Sequence, residues 1–206
     1  YEAIGIFKDQ AAVDAYPHWA GARPGDIIFK DVNGDNVIDG NDRVRNDKSR
    51  TPRFTGGLNV DLGYKDFDLS FLLQGAMGGV FYQTTESGDF ANFLKSFYDN
   101  RWTEENPDAD FPRTYNRSNE YFINQQNTFW LHKTDYIRLK NIELGYTVPS
   151  IWSKKIGVEH LRVYINAYNL LTISPDMKDY DPENTSGSGY NYPLNKVINF
   201  GVNLTF

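Results

Sequence analysis

At 206 residues the chain is long enough to bury a core, and its net charge of −6, with 21 Lys and Arg scattered along it, excludes the clustered basic surface that a nucleic-acid backbone requires. Cysteine is absent, which removes disulfides, thiolate metal sites and a cysteine nucleophile. No apolar run reaches the roughly eighteen residues of a spanning helix, yet a membrane β-barrel stays open, because its strands need only about 9 to 11 residues of alternating polarity.

Aromatic residues make up 16% of the chain while hydropathy stays low, a pairing that suits strands with one apolar face. The chain opens on YEAIGIFKDQ, without an initiator Met or signal peptide, and reads as a piece of something longer. Residues 31–42, DVNGDNVIDGND, follow an EF-hand-type spacing. Calcium, a hard cation, takes six to eight oxygens, and positions 1, 3, 5, 7, 9 and 12 would supply them from Asp31, Asn33, Asp35, the Val37 carbonyl, Asp39 and Asp42. Two departures stand out: Asn36 sits at position 6, where Gly is usual, and Asp42 at position 12, where EF-hands carry Glu. Asn tolerates the left-handed conformation, so the turn survives. Affinity of the weak extracellular kind, about 0.1 to 1 mM, is expected. The alternative is a surface loop rich in Asx turns with no ion.

Five later stretches alternate with period two. Strands are expected at about 54–64, 67–77, 135–147, 160–171 and 196–206, each placing residues such as Leu58, Val60 and Leu62, or Val202, Leu204 and Phe206, on one face. The stretch 135–147 changes phase near Lys140, which a β-bulge or snorkelling basic side chains would explain. Connections alternate in length: only a tight turn fits between 64 and 67, and a short turn with a little helix fits 148–159. By contrast 1–53, 78–134 and 172–195 are long and polar, without a sustained period. An up-and-down antiparallel sheet with all its long loops at one end has that order. Eleven residues at about 3.3 Å each, tilted by about 40°, climb about 28 Å, near the roughly 25 Å apolar band of a membrane barrel. Tyr64, Tyr146, Trp152 and Phe206 fall at the short-turn end, where an interfacial aromatic girdle would lie. A soluble β-sandwich is the other architecture with such a pattern.

Catalytic constellations are thin. His18, His132 and His160 have no metal-ligand spacing, no nucleophile elbow, P-loop or dinucleotide fingerprint occurs, and carboxylate pairs such as Glu104–Glu105 and Asp179–Asp181 lie in polar loops. No enzyme is expected. The aromatic stretches FWLHKTDY (129–136) and YDPENTSGSGYNYP (180–193) read either as ligand contacts or as ordinary loop packing.

GDIIFKDVNGDNVIDGNDR, PRFTGGLNVDLGYKDFDLSFLLQGAMGG, RWTEENPDADFPR, DYIRLKNIELGYTVPSIWSKKIGVEHLRVYINAYNLLT and NFGVNLTF together resemble, in that order, the C-terminal part of the SusC/RagA family of TonB-dependent outer-membrane transporters. The resemblance implies an all-β fold: the last five strands of an up-and-down transmembrane β-barrel of about 22 strands with a plug inside. It also implies import of oligosaccharides or peptides across the outer membrane of a Gram-negative bacterium, in contact with its lipid. A SusD-like surface lipoprotein would serve as lid and TonB would supply energy through a part of the protein outside this chain. Residues 1–53 would then be an extracellular loop braced by calcium, 54–206 the barrel strands with their loops, and the C terminus periplasmic, with Phe206 as assembly signal. The alternative is a secreted calcium-stabilised β domain for carbohydrate binding or adhesion. A third reading is a hydrolase with an unrecognised carboxylate pair.

Overall fold

A computed structural model describes residues 1–83, 93–115, 125–183 and 194–206. In chain order the elements are β1 (Ala3–Ile6), α1 (Gln10–Ala15), β2 (Ile27–Phe29), β3 (Phe54–Tyr64), β4 (Phe67–Met77), β5 (Val80–Tyr82), α2 (Lys95–Asn100), β6 (Leu131–Lys133), β7 (Tyr136–Val148), α3 (Ser150–Ser153), β8 (His160–Ile173) and β9 (Val197–Thr205). They divide between two compact units, one containing 1–48 and the described residues of 80–132, the other 49–79, 133–183 and 194–206.

The second unit is a five-stranded antiparallel sheet in the order β3-β4-β7-β8-β9. β3 and β4 pair along their full length from Phe54↔Met77 to Tyr64↔Phe67, leaving a two-residue turn. Lys65, at φ 55°, takes the left-handed conformation that such hairpin turns demand at their first central position. Between β7 and β8, α3 and a 3-10 turn at Lys154–Ile156 end on Gly157, whose φ of 77° reverses the chain into β8.

The phase change at Lys140 is a β-bulge. Leu72 pairs with Asn141 and Leu73 with Leu139, so Lys140 is the unpaired extra residue. The same step recurs against β8, where Asn141 meets Tyr168 and Leu139 meets Leu171. Its effect is to keep Ile142 and Leu144 on the same face as Ile137 and Leu139, residues that a regular strand would send to opposite sides.

The first unit has its own core, in segments that show no period in the sequence. β1 and β2 pair antiparallel, and α1 is capped by Asp9, whose carboxylate accepts from the Ala12 N–H at 2.8 Å. Phe7, Val13, Ile27, Phe29, Phe97 and Trp130 are almost wholly buried together, with Ile38 of the acidic loop among the same cluster. Each large side chain removed from water contributes about 1.5–3 kcal/mol. Distant segments are tied by their backbones: the Thr128 N–H donates to the Tyr1 carbonyl at 3.0 Å, and the Trp102 indole N–H to the Lys8 carbonyl at 3.0 Å. Gly25, at φ 85°, bridges both sides, donating to the Phe7 carbonyl at 2.7 Å and accepting from the Arg113 N–H at 2.9 Å. The stretches 1–53 and 78–134, read as loops, thus hold, among their described residues, short strands, two six-residue helices and an aromatic core.

Candidate functional site

Register builds two unlike faces on the sheet. Leu62, Leu69, Leu144, Ile165 and Phe200 form one row across all five strands, and Val60, Phe71, Ile142, Ala167 and Ile198 form the next. Much of this face is bare: Phe200 is 81% exposed and Ile198 56%, although both belong to unbroken apolar rows. A patch of that extent is not a surface that water tolerates. At its turn end Phe67 and Tyr146 pack with ring centroids 4.7 Å apart and planes tilted by 43°, and Tyr64, Trp152 and Phe206 are exposed.

The opposite face is polar and internally paired. Arg162 binds both Asp68, partly at 3.0 Å through Nε, and Glu143, at 2.8 Å. From Glu143 the chain of contacts continues to Asn166 at 3.2 Å and from Asn166 to Asn199 at 2.9 Å, so one network crosses β4, β7, β8 and β9. Two glycines make room for it. A Cβ on Gly145 would lie 2.3 Å from Arg162 Nη2, and one on Gly201 would lie 2.1 Å from the Tyr164 ring.

Nearer the opposite end, Arg138 is 1% exposed. Its Nη2 donates to both oxygens of Asp181 at 2.8 and 2.9 Å, Nη1 donates to Glu183, and Nε donates to Thr172 at 2.9 Å. Tyr136 and Gln74 also donate to Glu183, at 2.6 and 2.9 Å. Asp181, one of the carboxylates read from sequence as solvated, is therefore held at the polar face of the sheet; residues 184–193 of the aromatic stretch lie outside the described residues.

The acidic loop is closed by its own hydrogen bonds. Asp31 accepts from the N–H groups of Gly34 at 2.7 Å and Asn36 at 2.9 Å, and Asn36 takes the left-handed φ of 66° that position 6 requires. Asn33 accepts from the Asp35 N–H at 3.1 Å and Asp35 from the Val37 N–H at 2.9 Å. Asp42 is buried, and its two oxygens accept from Val32 and Asp39, each at 2.8 Å, while Asp39 caps a short 3-10 turn, Gly40–Asp42, through the Asn41 N–H at 2.7 Å. The oxygen donors suit a hard cation. Among the described residues, however, no three His, Asp or Glu side chains are grouped closely enough to hold a metal ion. The fit is thus partial, with the carboxylates satisfied by backbone.

The first unit also contains a cavity of about 530 Å³ that the sequence did not signal. Arg43 and Tyr82 line it, with Tyr1 and the backbone turn 125–128. Arg43 lies over the Tyr1 ring, 5.6 Å from its centroid, and donates to Gln125 Oε1 at 2.9 Å. The Tyr82 hydroxyl is buried without a hydrogen-bond partner, and burial pushes its pKa up to about 12.

No protein-family model matches the chain. Among curated proteins it is 32% identical over 223 aligned positions to TonB-dependent receptor P3 of Formosa agariphila, covering 100% of this chain and 22% of that protein. It is 29% identical over 189 positions to TonB-dependent receptor SusC of Bacteroides thetaiotaomicron, covering 89% of this chain and 18% of that protein. Among solved structures, the RagAB peptide transporter superposes with a TM-score of 0.71 at 27% identity, over 100% of this chain and 22% of that one. The chain spans about a fifth of the length of these relatives. With the antiparallel sheet and its two unlike faces, these likenesses identify the chain as a segment of the SusC/RagA family of TonB-dependent receptors.

Proposed function

We propose that this chain forms part of the wall of an outer-membrane importer, with its five-stranded sheet set between lipid and a polar lumen. The observation that carries the reading is the pairing of two faces on one sheet: unbroken apolar rows on one side and a charge-paired network on the other. Closed into a barrel of about 22 strands, such a sheet loses its two open edges and satisfies every backbone group internally, as a membrane demands. The long connections 1–53, 78–134 and 172–195 would then be extracellular. A SusD-like lipoprotein is the expected lid, TonB the energy source, and oligosaccharides or peptides the cargo. The mechanism is binding and gated passage, without covalent chemistry. The test is to extract the native polypeptide containing this sequence in detergent from outer membranes and weigh it. A chain several times larger than 23.7 kDa, co-purifying with a surface lipoprotein, is expected; a free, water-soluble chain of that mass would overturn the reading and favour the secreted β domain.

Calcium has a subordinate place in this reading. Asp31, Asn33, Asp35, the Val37 carbonyl, Asp39 and Asp42 would hold it weakly, and because the loop already closes on backbone N–H groups, the ion acts as a brace and not as a condition of folding. Terbium luminescence on the whole receptor should show binding that an Asp31→Ala, Asp35→Ala pair abolishes, while chelation leaves circular dichroism unchanged. Unfolding on chelation would refute the brace, and absence of terbium binding would refute the ion.

A further inference from the structure

We propose that the Arg43 cavity receives a carboxylate group of the cargo, which rests on the importer reading and adds a charge preference to it. Two observations converge. Among the described residues, Arg43 is the only charged side chain lining the cavity, in a chain whose net charge is −6, and no carboxylate lines the same space. Its guanidinium is already positioned: the Tyr1 ring supports one face and Gln125 takes one N–H, while no carboxylate pairs with it among the described residues. A guanidinium so held has donors to spare in a forked geometry that matches a carboxylate.

Tyr82 adds a wall to the site but no donor, since its hydroxyl oxygen is buried away from the cavity space. The Tyr1 and Tyr82 rings offer apolar walls for the body of the ligand, and the turn at 125–128 is itself fixed, with Asn127 accepting from the Phe129 N–H at 3.0 Å. The volume, about 530 Å³, suits one sugar ring or one to two amino-acid residues. The shared chemistry is the carboxylate, carried either by a uronic acid or by the free C-terminus of a peptide.

The experiment uses the full receptor with its lipoprotein in detergent, titrated calorimetrically with two matched pairs. One pair is trigalacturonate and its methyl ester; the other is penta-alanine and its C-terminal amide. One acid form should bind at least about tenfold more tightly than its blocked partner, as expected for hydrogen bonds to a charged group, and the pair that discriminates identifies the source. Arg43→Ala should erase that preference, Arg43→Lys should keep part of it, and Tyr82→Phe, which leaves the ring wall in place, should keep it. Equal affinities within both pairs, or a preference that survives Arg43→Ala, would overturn the proposal. Folding of each variant is read independently from heat-modifiable migration. Uptake by cells carrying the wild-type receptor is measured alongside, so that a failed pocket with intact uptake is distinguished from failure of the importer reading.

Discussion

If the apolar face of the sheet meets lipid, the cost of a charge on it must depend on depth. Val60 lies four residues from Tyr64 at the turn end of β3, which at about 3.3 Å per residue and a tilt of about 40° is a height of about 10 Å, near the middle of a band roughly 25 Å tall. Ile142 shares that row through Phe71. Leu144 is two residues nearer the turn end, about 5 Å from it, and Tyr146 sits at the rim beside Phe67. Ile142→Arg should therefore cost about 2–4 kcal/mol, Leu144→Arg about 1–2, and Tyr146→Arg about 0–1. Ser70→Arg, on the other face between Asp61 and Glu143, should cost under about 1 kcal/mol, since the new cation arrives among carboxylates. The assay is guanidinium unfolding of the whole receptor refolded into phosphatidylcholine vesicles, followed by tryptophan fluorescence. Equal costs at the three depths, or a Ser70→Arg penalty as large as that of Ile142→Arg, would refute the assignment of faces.

Two further perturbations test the packing. Arg138→Ala leaves the Asp181 and Glu183 carboxylates without their cation, and should destabilise by about 3–5 kcal/mol and expose residues 174–183 to protease; Arg138→Lys should recover only part, because its one ammonium cannot reach Asp181, Glu183 and Thr172 as three separate guanidinium nitrogens do. Unchanged proteolysis in Arg138→Ala would show that the segment is held elsewhere. Gly25→Ala combines a left-handed backbone with a Cβ 2.6 Å from the Trp102 ring and should cost about 2–5 kcal/mol, whereas Gly21→Ala, equally left-handed but with nothing within 4 Å, should cost about 1–2. Equal sensitivity of the two variants to trypsin would remove the packing argument.

The strands were readable because period two is a local property. FTGGLNVDLGY and FDLSFLLQGAM alternate within themselves, and two residues between them leave no option but a hairpin. Even the bulge at Lys140 left a trace, since a residue inserted in a ladder shifts the phase of everything after it. The calcium-type loop was readable for the same reason, as its spacing lies within twelve consecutive residues. The first unit had no such signature. Its strands are three or four residues long and its helices six, shorter than one clear period, so Phe7, Phe29, Phe97 and Trp130 looked like scattered loop aromatics.

Composition and alternation therefore decided the class of the fold, the position of each strand of the five-stranded sheet and which of its side chains share a face, because those depend on neighbours one or two residues apart. Only the tertiary structure decided which polar groups meet. Arg138 and Asp181 are 43 residues apart, Arg43 and Gln125 are 82, and Ala3 and Thr128 are 125. No local pattern encodes such distances. They follow once the sheet register and the aromatic core bring those segments together, and with them come the paired charges of the polar face and the Gln125-bound guanidinium of the cavity.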